Sequence, residues 1–209
     1  MRPVPALLLI VIATAAAVGW LWTLPFERAK AITAEGGPIE VASVLGWVLA
    51  ALVAAWRLRG APRIAAALLL LILAARELDL DKRAFTQGLF KSRQYFGGDV
   101  PAGEIALSVL VLVAIVAVVA VLVRHGARPF ADGLRARRAW PWALVLAIAV
   151  ALVAKALDGI ARKAAGLGIE LPATASAYAA PAEETMEVAL PLIVIVAILA
   201  GTRARAQAA

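Results

Sequence analysis

Glu183, Glu184 and Glu187 sit close together at the head of an apolar stretch, "EETMEVALPLIVIV". Carboxylates grouped in a poorly hydrated place can share a proton, accept an ammonium group or ligate a hard cation. Glu183 and Glu187 are spaced i,i+4, so a helix puts them on one face. Pro191 has no N–H to give to the carbonyl of Glu187. That leaves a free oxygen beside a carboxylate and predicts a kink there. Glu77 and Asp81, also i,i+4, end a second apolar run, "LLLLILAARELDLDKR", and Glu40 opens a third. These six acids are the candidate binding residues.

Basic residues stand among other acids nearby. Arg76 and Asp79 are i,i+3, Lys155 and Asp158 are i,i+3, and Asp158 and Arg162 are i,i+4. On helices these spacings predict ion pairs. The five residues are read as a structural charge network that locks the bundle.

Three roles fit this constellation. One is structural, with the charges only neutralising one another, as in a partner subunit. One is a binding or transport site for a cation or a lipid head group. The third is an enzyme at the outer leaflet that uses paired carboxylates or a divalent cation, Mg²⁺ or Ca²⁺. The surplus of carboxylates over local cations favours binding. No nucleophile motif accompanies the acids, so no catalytic residue is assigned. The chain has no cysteine and one histidine, which excludes disulfides, thiolate metal sites and zinc sites built on several histidines.

The elements that would carry these residues are apolar helices. The chain has 209 residues, 64% of them hydrophobic, and a mean hydropathy of +0.90. Soluble domains are nearer half apolar. The excess falls in six runs: 4–24, 39–56, 63–79, 104–123, 142–158 and 183–200. Each is near the ~20 residues needed to cross a bilayer. The expected fold is all-α, a single domain forming a polytopic bundle of six transmembrane helices. Pro5, Pro38, Pro62, Pro101, Pro141 and Pro181 stand near the starts, where a missing N–H costs nothing. The first run is read as a retained helix, because Trp20 and Trp22 look like an interfacial anchor.

The net charge of +7 fits topology-setting loops better than nucleic acid. Eleven Lys and Arg fall in the termini and the second and fourth loops, against eight in the other loops. This predicts a multi-pass protein of a bacterial inner membrane with both termini cytoplasmic. Of 14 Asp and Glu, only Asp132 then lies inside. The acidic cluster would face the periplasm, and the expected partners are the bilayer, a lipid head group or a cation.

The second half also matches the first. At an offset of 79 residues, Pro62 meets Pro141, Arg76 meets Lys155, Asp79 meets Asp158, Arg83 meets Arg162, Glu104 meets Glu183 and Arg124 meets Arg203. This predicts two parallel repeats, 62–124 and 141–203, each a helical hairpin about a shared axis along the membrane normal. In that arrangement the third and fifth helices are neighbours. The third loop is expected to form a short interfacial helix with Phe85, Leu89, Ser92 and Phe96 on one face and Gln94 turned away.

Overall fold

The computed structural model describes residues 3–206. It is 80% helical, without strands among the described residues. The helices are α1 (Pro3–Leu21), α2 (Phe26–Thr33), α3 (Pro38–Arg57), α4 (Ala61–Glu77), α5 (Leu80–Arg83), α6 (Arg93–Phe96), α7 (Ala102–Arg135), α8 (Ala139–Leu157), α9 (Ile160–Ala165), α10 (Ala173–Glu187) and α11 (Ala189–Ala206).

Five stretches are long and apolar enough to cross a membrane: α1, α2 with α3, α7, α8, and α10 with α11. They suggest a multi-pass membrane protein. The sixth expected helix exists as α4, but it has 17 residues. At 1.5 Å per residue it is about 26 Å long, short of the ~30 Å hydrocarbon core. Its end is set at Asp79, whose φ of 52° lies in the left-handed region and turns the chain off the helix axis.

Several expected boundaries move. The fourth apolar run does not stop at residue 123; α7 continues as a basic, amphipathic extension to Arg135, through Pro129. His125 is therefore helical, with Nδ1 2.8 Å from the Val121 carbonyl. Pro181 does not start a helix but lies inside α10, which begins at Ala173. The interruption expected above Pro191 is present, since α10 ends at Glu187 and α11 begins at Ala189.

α11 is the central helix. Its Ala189, Ile193 and Ala197 pack on Ala143 and Ala147 of α8, with Leu7 and Ile10 of α1 alongside. Its Leu190, Val194 and Ile198 pack on a second cluster, Trp47, Ala50, Ala51 and Ala54 of α3 with Leu70 and Ala74 of α4. Water does not drive helices together inside a bilayer, so small residues that allow close approach matter most. These alanine faces supply it. The large side chains point outward instead: Leu8, Leu45, Leu52, Val116 and Leu152 are all exposed, as lipid-facing residues are.

α4 packs on α3 and α7, while α8 packs on α11 and α10. The third and fifth runs, α4 and α8, do not form one of the substantial helix pairs. α7 touches both of them, while α11 packs on α3 and α8. The expected side-by-side placement about one axis is not what the helices adopt.

Candidate functional site

α3 starts at Pro38, and Glu40 lies in its first turn. The Glu40 carboxylate reaches back to accept the Gly36 N–H at 2.7 Å, as an acid at a helix N-terminus does. Ser43 and Trp47 follow on the same face. Both are buried, and Ser43 Oγ and Trp47 Nε1 make no close hydrogen bond except toward the Glu77 carboxyl. The carboxyl of Glu77, the last residue of α4, lies beside both.

Glu183, Glu184 and Glu187 come to this place from α10. Glu187 is within electrostatic reach of Glu77 and Glu183, with Arg76 and Lys155 as the opposing cations. Glu184 faces Glu187, Glu183, Glu77 and Glu40. Glu183 lies toward Asp158 and Lys155 at the end of α8 and Lys163 of α9. All five glutamates are half-buried, whereas Arg76 and Lys155 are exposed. Five of the six candidate binding residues are thus gathered from three helices. Asp81 is grouped differently: it sits on α5 near Lys82, and its carbonyl accepts the Leu89 N–H at 3.1 Å.

Among the described residues, two of the three expected ion pairs, Arg76–Asp79 and Asp158–Arg162, do not form salt bridges. Asp79 pairs with Lys82 at 2.6 Å rather than with Arg76. Arg76 and Asp79 would meet only if the helix ran on, and the left-handed Asp79 ends it. The proximity of Asp79 raises the Lys82 ammonium pKa. In the other arm Lys155 pairs with Asp158 as expected. Lys163 Nζ adds a hydrogen bond to the Lys155 carbonyl at 2.8 Å, and the Arg162 guanidinium lies over Gly159, φ 61°. The hydrogen bond from Lys155 holds the Asp158 carboxyl below the usual carboxylate range, with Lys163 and Arg162 adding to it. The Asp158 side chain is 41% exposed, so this arm is a surface pair and not a buried lock.

A second polar group was not legible as one. Glu104, in the first turn of α7, accepts hydrogen bonds from Thr86 N at 2.7 Å, Thr86 Oγ1 at 2.9 Å and Gln94 Nε2 at 2.8 Å. Gln94 Nε2 also donates to Ser108 Oγ at 3.0 Å, and its Oε1 accepts the Gln87 N–H at 2.9 Å. Gln94 is fully buried and Phe96 is 89% exposed, but Leu89 is buried, so the residues expected on one interfacial face are divided. The loop forms only the four-residue α5 and α6 because the Gln94 amide is fastened inward to α7. Glu104 and Ser108, spaced i,i+4, were the sequence signal for this anchor.

The arrangement is chemically an acidic cluster whose Glu77 carboxyl faces the hydroxyl of Ser43 and the indole N–H of Trp47. It offers carboxylates to a cation, and a hydroxyl and an indole N–H to an acceptor or an aromatic face to an ammonium. Among the described residues, no three acidic or histidine side chains are placed to hold one metal ion. The chain matches no family model, no curated protein and no solved structure.

Proposed function

We propose that the chain is a multi-pass inner-membrane protein, both termini cytoplasmic, whose acidic cleft opens to the periplasm and binds a cationic group. α4 serves as its sixth, shorter membrane helix. The ligand class is an ammonium-bearing lipid head group or a free cation, and transport of that group is the natural use of such a site. The reading rests on one observation: five half-buried glutamates from three helices lie within electrostatic reach of one another, while the nearby cations Arg76 and Lys155 are exposed. Acids in apolar helices are costly, so such a surplus needs a reason. A ligand that fills the cleft supplies one.

The test is a melting curve of purified protein in micelles, with and without phosphatidylethanolamine and with and without Mg²⁺. Wild type should be stabilised by one of them. Glu187→Gln should keep its ligand-free melting temperature and lose that stabilisation. A collapse of the ligand-free fold in Glu187→Gln would place Glu187 in a structural role and remove the reading's main residue.

A further inference from the structure

The opposite end of the bundle holds a cavity of about 370 Å³. Its wall includes Pro3 and Ala6 of α1, Arg138 and Trp140 at the start of α8, and Leu199 and Arg203 of α11. Arg138, in the turn before α8, and Arg203, on α11, both line this space. α8 begins here with 19 residues, and no side chain caps its first N–H groups. Its positive dipole end adds to the arginines, so the polar part of the cavity is built for an anion.

The wall is also fixed in place. The Trp140 ring is wedged between α7 and α11. A Cβ added at Gly133 would stand 3.2 Å from that ring, and one at Gly201 would stand 3.4 Å from it. Phe130 meets the ring edge-on, with centroids 6.0 Å apart. The rest of the lining is aliphatic. A cavity this size holds a small head group, and its apolar side suits the first methylenes of attached acyl chains.

We propose that this cavity seats the phosphate ester of an anionic phospholipid, with Arg138, Arg203 and the α8 N-terminus on the phosphate and Leu199 and Ala6 along the chains. Guanidinium groups bind phosphate through paired N–H donors. A choline or ethanolamine head group also carries a phosphate, but its cation would meet two arginines. The site is independent of the acidic cleft and survives if that cleft proves structural.

The full-length protein, purified in neutral micelles, is titrated with phosphatidylglycerol, phosphatidylcholine or glycerol 1-phosphate while its melting temperature is followed. Native mass spectrometry counts retained lipid in the same samples. Wild type should be stabilised by phosphatidylglycerol and retain it, with little response to phosphatidylcholine. Arg138→Gln with Arg203→Gln should bind phosphatidylglycerol roughly tenfold more weakly or worse, as expected for two lost basic contacts. Each single variant should show part of that loss, so the outcome does not depend on the double variant folding. Arg59→Gln, in the α3–α4 turn outside the cavity, should behave as wild type. Equal loss in Arg59→Gln would mean a general charge effect and overturn the site. An equal response to glycerol 1-phosphate would overturn the lipid as ligand and leave a site for a soluble phosphate ester.

Discussion

Gly46 of α3 lies against Pro191 of α11 so closely that a Cβ at position 46 would be 2.7 Å from the proline Cγ. The proline ring cannot swing aside, so a larger residue must push the two helices apart. This contact lies between the core clusters of α3 and α11 and one turn below Glu187, and it sets how closely α10 approaches Glu77. Gly46→Ala should destabilise by about 1–3 kcal/mol, the usual cost of overpacking. It should also weaken any ligand effect at the acidic cleft. Thermal melting in micelles measures both. A wild-type melting temperature would mean that the helices do not meet here.

The Gln94 anchor predicts a loop phenotype. Gln94→Ala removes a buried amide that holds Glu104, Ser108 and the Gln87 N–H together. Stranding its buried partners should cost about 1–3 kcal/mol. The segment 84–101 should then be cut faster by protease, while the membrane helices stay protected. Unchanged cleavage would show that the loop is held by other contacts.

The Lys155–Asp158 pair fixes a pH dependence and its sign. The Asp158 pKa is lowered in the folded chain from an ordinary value of 3.8. The pair's stabilisation is therefore complete above that value and is lost as pH falls through the lower folded pKa. Because the pair is exposed, Asp158→Asn should cost no more than about 1 kcal/mol, not the ~3–5 kcal/mol of a broken buried pair. The melting difference between wild type and Asp158→Asn should be small at neutral pH and vanish in strong acid. A difference of several kcal/mol would restore the idea of a buried lock.

Topology is open to direct measurement. Reporter fusions at the C-terminus and at Gly97 should give cytoplasmic and periplasmic signals respectively. The reverse pattern would put the five glutamates on the inner side.

The apolar runs made most of the helices legible, because lipid-facing residues repeat no fine pattern and need only length. Helix ends were less so. Asp79 breaks α4 by adopting a left-handed φ that its sequence permits but does not require. Pro181 reads as a helix start and residues beyond 123 as a loop, yet Pro129 and Pro181 both lie within helices, since surrounding helices and side chains can tolerate a proline inside a membrane helix; Thr185 Oγ1 bonding to the Pro181 carbonyl is such a local adjustment. The five glutamates were legible as a group because acids in apolar helices are costly and stand out. Ser43 and Trp47 were not, as nothing local says that a serine and a tryptophan on α3 will meet Glu77 from α4. The Gly46–Pro191 contact is hidden for the same reason: it depends on which helices become neighbours.

Trp47 offers the sharpest separation of ligand from scaffold. Its buried Nε1 faces the Glu77 carboxyl without a close hydrogen bond, and leaving such a donor poorly paired costs up to about 1–3 kcal/mol. Trp47→Phe removes the N–H and keeps most of the ring that packs in the α3–α4 core. If the donor waits for a ligand, the ligand-free protein should melt at or above the wild-type temperature. The stabilisation by phosphatidylethanolamine or Mg²⁺ should shrink. If the indole instead serves to hold Glu77, Trp47→Phe should lower the ligand-free melting temperature, and Glu77→Gln should lower it no further in the double variant. Additive losses would mean that the two residues act apart. The expected outcome is the first, with no loss of ligand-free stability and a reduced response to the ligand.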